Sequence, residues 1–173
     1  MTRRPGSVRA VRTDGPAITV RPYVGRDDAR ATYEVFRAAI RETAARHYDA
    51  EQIAAWLGPE RDDLGEWDAR RGRASTRVAV LDGEVVGFTD LLPDGLVDML
   101  FVHPASGGRG CARALLTTVL DDARARGIPE LRTFASRSAR PVFERFGFSV
   151  VAERPDNAVR GVIVPNTELR RAV

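Results

Sequence analysis

The segment 97–125 constrains this chain more than any other. It reads VDMLFVHPASGGRGCARALLTTVLDDARA. An apolar run ends at His103-Pro104, three glycines follow (Gly107, Gly108 and Gly110), and a helical pattern begins at once. Ala112, Leu115, Leu116, Val119, Leu120 and Ala123 recur at helical spacing and make one apolar stripe. Glycines between a strand end and a helix start let backbone N–H groups converge on an anion, and the helix N-terminus adds partial positive charge. The segment therefore predicts a phosphate cradle and a phosphorylated ligand.

The flanking patterns predict the rest of the fold. Residues 17–23 alternate as a first strand. Asp27 or Asp28 is expected to cap a helix to about residue 47, and Asp49 a second one over 50–57, stopped by Gly58-Pro59. A third, mostly polar helix is expected over 60–71. Residues 76–81 and 84–92, joined by Asp82-Gly83, read as a hairpin. Pro93-Asp94-Gly95 turns into a strand over 96–102, which completes an antiparallel meander. Gly127 and Pro129 end the glycine-led helix. A strand over 131–135, a helix over 138–146, a strand over 148–154 and a last strand over about 159–170, interrupted at Pro165, follow. A meander and then strand–helix–strand implies an α/β sandwich with a mixed sheet.

Composition narrows the function classes. A chain of 173 residues is long enough for one domain with a real core, expected over residues 17–173. All 27 basic residues are arginine, and Arg3, Arg4, Arg9 and Arg12 precede the first acidic residue, Asp14. Without those four the formal charge falls from +3 to −1. The basicity sits in a leader, residues 1–16, expected to be disordered, so the folded part is not expected to bind nucleic acid. No apolar run approaches a membrane span of roughly 20 residues. Without an apolar h-region, the expectation is cytoplasmic residence. One cysteine with His47 and His103 makes no convincing metal set.

The glycine cluster does not fit two common nucleotide motifs. A P-loop needs Lys-Ser/Thr after its last glycine, whereas Cys111-Ala112 follows Gly110. A dinucleotide fingerprint follows the first strand of a parallel sheet, whereas three antiparallel strands are expected here. The run Val102-His103-Pro104, Gly107-Gly108-Arg109-Gly110-Cys111-Ala112 and Arg113-Ala114-Leu115-Leu116 closely resembles the acyl-CoA motif of the GNAT superfamily of N-acetyltransferases. That motif has the core Gln/Arg-x-x-Gly-x-Gly/Ala. Gly110 and Ala112 match its last two positions, and Gly107 stands where Gln or Arg is usual. Ser136-Arg-Ser-Ala139-Arg-Pro-Val-Phe-Glu-Arg-Phe-Gly147-Phe148 resembles the second signature, Asn-x-x-Ala…Leu-Tyr-Glu-x-x-Gly-Phe. Tyr48-Asp-Ala-Glu-Gln52-Ile-Ala-Ala-Trp56, Ala139-Arg-Pro-Val-Phe-Glu-Arg and Gly161-Val-Ile-Val-Pro-Asn-Thr together are similar to the YafP-like branch of that superfamily.

The resemblance implies a mixed, mostly antiparallel central sheet flanked by helices. It also implies transfer of an acetyl group from acetyl-CoA to an amine by direct attack, without a covalent enzyme intermediate. The pyrophosphate would sit on the amides of Gly107, Gly108, Arg109, Gly110, Cys111, Ala112 and Arg113, with Arg109 and Arg113 adding charge-assisted bonds. Leu100, Phe101 and Val102 would pair with the pantetheine arm as an added strand, and the Val102 amide would stabilise the oxyanion. Ser136, Pro141, Phe143 and Arg145 would complete the cofactor side. Asp98 is the first candidate base, directly or through water, and Asp90 a weaker one. His103 reads as a turn residue. The tyrosine that usually protonates the departing thiolate is replaced by Phe143, which leaves water or Ser136 for that role; Ser136 can equally be a cofactor contact or a helix cap. Cys111 has no apparent partner that would make it a nucleophile.

Tyr33, Tyr48, Trp56 and Phe134 are candidates for the acceptor pocket. The acceptor itself stays open among small amines, antibiotics, peptide N-termini and protein lysines. Family members often pair, so the resemblance allows a homodimer. A non-catalytic acyl-CoA sensor is the alternative, favoured by Phe143. A nucleic-acid-binding role would rest on the arginine leader alone.

Overall fold

The computed structural model describes residues 17–173. The arginine-rich leader and its expected disorder lie outside the described residues. In chain order the first elements are β1 (Thr19–Pro22), α1 (Gly25–Ala38), α2 (Ala50–Leu57), α3 (Gly65–Arg73), β2 (Ser75–Leu81), β3 (Glu84–Leu91) and β4 (Val97–Val102). They are followed by α4 (Cys111–Ala125), β5 (Glu130–Ala135), α5 (Arg140–Arg145), β6 (Ser149–Arg154), β7 (Ala158–Val159), β8 (Val162–Ile163) and β9 (Asn166–Ala172).

Two antiparallel sheets meet edge to edge. The first has the order β1-β2-β3-β4 and the second β5-β9-β6, with β7 and β8 forming a separate hairpin. The Asp82-Gly83 turn forms as expected, with both residues at positive φ (52° and 85°). On one face of the first sheet, Tyr33 and Phe36 of α1, Ile40 just beyond it and Trp67 of α3 pack against Val78 and Phe88. On the other face, α4 buries Leu115 against Ala79 and its next turns, Leu116 to Ala123, against Leu91, Val97 and β5. The stripe read from the sequence is thus buried as one face.

The sheets touch through β4 and β5 at a single parallel bridge, Leu96 with Arg132. The Arg132 N–H donates to the Gly95 carbonyl (3.0 Å), and the Thr133 hydroxyl to that of Val97 (3.0 Å). A side chain at Gly95 would lie 2.4 Å from the Glu130 carbonyl oxygen, so this approach needs glycine. Past Thr133 no further pairing joins the two strands among the described residues, and a wedge opens between them. Within β4, Met99 pairs with Asp90 and Val97 with Leu91, so Asp98 is the extra residue of a bulge.

Several boundaries differ from expectation for identifiable reasons. The helix expected to reach residue 47 ends as α1 at Ala38, then runs through a π-helical turn (Ala39–Thr43) and a 3₁₀ turn (Ala44–Arg46). Val24, not Asp27 or Asp28, occupies its N-cap position. Asp28 lies in the first turn and reaches back to accept from the Val24 amide (2.7 Å) and from both Arg21 guanidinium nitrogens (2.6 and 2.8 Å). The second helix keeps its cap: Asp49 accepts from the Gln52 amide, and Gln52 accepts in return from the Asp49 amide. The third helix starts at Gly65, after the turn that Asp63 makes with the Gly65 amide (2.8 Å). The last expected strand divides into the β7–β8 hairpin and β9, because Arg160 and Gly161 take positive φ and Pro165 interrupts pairing.

Candidate active site

The wedge is floored by backbone. His103 N–H donates to Val86 O (2.8 Å), and Phe101 stands opposite Phe88. In an antiparallel ladder, bonded and non-bonded pairs alternate. His103–Val86 and Phe101–Phe88 are therefore the bonded pairs. Leu100 and Val102 turn their N–H and C=O groups away from β3, towards the wedge. At the end of β4, His103 accepts from the Ala105 amide through Nδ1 (3.3 Å) and caps the short turn Pro104–Ser106, as expected of a turn residue.

The glycines then lead into α4. Gly108 and Gly110 hold φ of 75° and 88°, and Gly110 is the N-cap residue with no side chain to cap the helix. The amides of Cys111, Ala112 and Arg113 cannot bond within the helix and are left for a ligand. The Cys111 thiol is 2% exposed and sits near the Ser106 carbonyl oxygen (3.8 Å). Burial pushes its pKa up, which is the wrong direction for a nucleophile.

Two cavities share this wedge. The larger, about 1010 Å³, runs from the glycine loop between β4 and α5. Leu100, Phe101, Val102, Gly107, Gly108, Gly110, Cys111, Ala112, Arg113, Ser136 and Arg145 line it. Arg109 and Pro141 do not, and Phe143 belongs to the smaller cavity instead. Arg46 and Arg171 also line the large cleft, from the turn after α1 and from the last strand. Sequence reading missed both, because no local pattern connects residues 46 and 171 to a loop at 107–113. Four arginines and no carboxylate line this cleft among the described residues.

The smaller cavity, about 240 Å³, lies on the other side of β4. Tyr48, Trp56 and Phe134 line it together, with Asp98. Tyr33 does not: its hydroxyl is buried under the 58–64 loop, accepting from the Arg61 amide (3.1 Å), and its ring packs edge-on to Trp67. Leu100, Phe101, Trp56, Ser136 and Ala139 line both cavities and form the passage between them.

Asp98 lies at the bulge, its side chain about one-third exposed, 3.7 Å from Arg70. Asp90 lines neither cavity. Its carboxylate is 1% exposed, 2.9 Å from Arg71 Nε, and accepts from the Thr76 hydroxyl (2.8 Å). Burial pushes its pKa up, against the pull of Arg71 and Thr76. Arg71 is also 1% exposed and lies over the Trp67 ring (4.3 Å). Asp90 is thus half of a buried ion pair rather than a base facing the wedge.

The Ser136 hydroxyl accepts from the Ala139 amide (3.2 Å) and lies 3.1 Å from Ser138 Oγ, so it caps the turn into α5 while facing both cavities. Tyr48 ties the wedge together. Its hydroxyl donates to the Pro165 carbonyl (2.7 Å) and accepts from the Arg137 amide (2.9 Å). Burial raises its pKa, partly offset by that amide. Among the described residues no group of His, Cys, Asp and Glu could hold a metal ion, and no helix is long and apolar enough to cross a membrane.

Two antiparallel sheets splayed around a bulged strand, with a glycine-led helix at the mouth, define an acyltransferase architecture. The model of the GNAT acetyltransferase domain matches residues 44–165, and the chain belongs to that family. It is 34% identical over 120 residues to the N-acetyltransferase YafP of Escherichia coli K12, covering 69% of this chain and 74% of that one. A GCN5-related N-acetyltransferase from Rhodopseudomonas palustris superposes with a TM-score of 0.83 at 31% identity, covering 97% of this chain and all of that one. The PaiA N-acetyltransferase of Thermoplasma acidophilum, solved in complex with coenzyme A, shares the fold (TM-score 0.71, 19% identity, 90% and 99% coverage).

Proposed function

We propose that this acyltransferase moves the acetyl group of acetyl-CoA to an amine by direct attack. The observation that carries the reading is the charge contrast between the two cavities. The glycine-lined cleft presents four arginines and no acid; the cavity behind β4 presents one carboxylate, Asp98, and no cation among the described residues. A polyanionic donor fits the first and a protonated amine the second, and they meet where Leu100, Phe101 and Ser136 border both.

The amides of Gly108 to Arg113, with the guanidinium of Arg113, hold the pyrophosphate. Arg46, Arg145 and Arg171 add positive charge along the cleft. Leu100 and Val102 offer their free backbone groups to the pantetheine arm as a strand partner would. Acetyl-CoA supplies the activated acetyl group. Asp98 takes the proton from the ammonium, directly or through one water, because only the free base carries the lone pair that attacks. The Val102 N–H stabilises the negative charge that grows on the acetyl oxygen. A thiol pKa near ~8.5 makes the thiolate a fair leaving group without help. Phe143 offers no hydroxyl there, so water or Ser136 returns the proton. With Cys111 buried, no enzyme thiol competes for the acetyl group.

Calorimetry with acetyl-CoA tests the reading: micromolar binding is expected, and its absence overturns the proposal. Asp98→Asn is expected to lower kcat/KM by tenfold or more; an unchanged kcat/KM removes Asp98 as the base, on the roughly 10²–10⁴-fold contribution of general bases. Phe143 favours a second reading, a non-catalytic acyl-CoA sensor. Tight coenzyme A binding without turnover across a broad amine panel would select it.

A further inference from the structure

We infer that the acceptor is a small aryl-bearing amine with a second hydrogen-bond donor and no anionic group. The inference deepens the proposed function and rests on it.

Size comes first. At about 240 Å³ the acceptor cavity falls below the roughly 300–1,000 Å³ usual for drug-sized ligands, so it suits a single small ring with a short arm. The walls come second. Phe36, Tyr48, Trp56, Phe101, Phe134 and Phe143 surround it. Tyr48 stands edge-on to Trp56 at 5.7 Å, and Phe143 is braced from behind by Phe148, edge-on at 5.1 Å, which holds the rings as flat walls. Phenylalanine at 143, where the family pattern has tyrosine, extends that apolar wall.

The polar groups decide the rest. Three that line the cavity are already committed. Tyr48 Oη donates to Pro165 O, Thr133 Oγ1 to Val97 O, and Asn157 Nδ2 to Val164 O. Among the remaining acceptors Ser136 Oγ already accepts from the Ala139 amide (3.2 Å), and Asp98 and Asn166 are the anchors. Asp98 makes no hydrogen bond and pairs only with the half-exposed Arg70 at 3.7 Å, and Asn166 Oδ1 is buried with no hydrogen-bond partner. A buried amide oxygen without a donor is costly, and a ligand N–H or O–H relieves it. No Arg, Lys or His lines the cavity among the described residues, so a ligand carboxylate or phosphate would meet Asp98 without a cation on the wall to bind it, Arg70 being engaged with Asp98 itself. An aliphatic polyamine would leave the aromatic walls unfilled. An aryl ring carrying an ammonium for Asp98 and a donor for Asn166 matches the walls and both anchors.

Calorimetric titration of the protein, with and without coenzyme A, uses four probes: tyramine, its O-methyl ether, tyrosine and putrescine. Tyramine is expected to bind best. The ether lacks the donor for Asn166 and tyrosine adds a carboxylate, so each is expected to bind about tenfold more weakly. Putrescine is expected to be weaker still. Asn166→Leu is expected to erase the difference between tyramine and its ether; should that variant not fold, the two probes on the native protein read the same contact. Tyrosine or putrescine binding as tightly as tyramine, or no tyramine binding in either condition, overturns the inference. Coenzyme A binding without any aryl preference overturns this inference alone, whereas loss of coenzyme A binding overturns the proposed function as well.

Discussion

The Thr133 hydroxyl donates to the Val97 carbonyl oxygen at 3.0 Å, at the last point where the two sheets touch. Val97 O is thereby satisfied by a side chain, and the next residues of β4 are free to leave β5. Thr133→Val keeps the shape and removes the donor, leaving a buried carbonyl short of a partner. The expected loss is about 1–2 kcal/mol in denaturant unfolding. Because the contact sets the apex of the wedge, the KM for acetyl-CoA is expected to rise in the same variant; an unchanged KM would show that the splay is held elsewhere.

Gly108 and Gly110 have room for a methyl group. Nothing lies within 4 Å of a Cβ at Gly108, and only Ile18 Cδ1 (3.9 Å) near one at Gly110. Their penalty for alanine is therefore conformational, about 1–2 kcal/mol each for the left-handed backbone. Gly108→Ala and Gly110→Ala are expected to weaken coenzyme A binding by calorimetry more than they lower the melting temperature, because the strained loop can relax away from the cradle. Equal effects on both would assign the glycines to stability alone.

Arg71 and Asp90 form an ion pair that is buried on both sides. Asp90→Asn or Arg71→Met alone leaves one charge uncompensated, and each is expected to cost about 3–5 kcal/mol by urea unfolding. The double replacement Arg71→Met with Asp90→Leu is expected to recover most of that loss. Failure to recover would mean that the stacking of Arg71 on Trp67, rather than charge, holds α3 to the sheet.

Asp28 gives the fold an acid-sensitive point. Desolvation alone would raise its pKa, but the Arg21 guanidinium and the Val24 amide outweigh it and hold the carboxyl below its usual value. A carboxyl depressed in the folded state contributes stability that is full above its unfolded pKa of about 3.9 and is lost as pH falls through the folded value. Asp28→Asn is expected to cost about 1–2 kcal/mol at pH 7, a modest figure because Arg21 is partly exposed. The difference from the native protein should shrink below pH 4. A difference that stays constant down to pH 2 would contradict the assignment.

Local chemistry made much of this legible in the sequence. Asp49 and Gln52 cap a helix within four residues, Asp82-Gly83 closes a hairpin by backbone preference, and the α4 stripe needs only helical periodicity. What escaped depends on distant partners. Asp28 resembles a cap until Arg21 competes for it, Asp90 resembles a base until α3 buries Arg71 against it, and Tyr33 resembles a pocket wall until the 58–64 loop covers its hydroxyl. The cleft arginines 46 and 171 converge only after β9 inserts between β5 and β6, an event no short window contains.

The bulge at Asp98 works as a phase shift. Before it, Val97 faces the α4 side; after it, Met99 and Phe101 face the α1 side, while Leu100 and Val102 face α4. With Asp98 paired in strict alternation from Val97, Met99 and Phe101 would face α4, and Leu100 and Val102 would face α1. The extra residue thus keeps Val97 and Leu100 together on the α4 side and Met99 and Phe101 together on the α1 side. Deleting it would restore a regular ladder with Met99 to Val102 on the faces they already occupy, so what the insertion adds is Asp98 itself, a carboxylate in the lining of the smaller cavity.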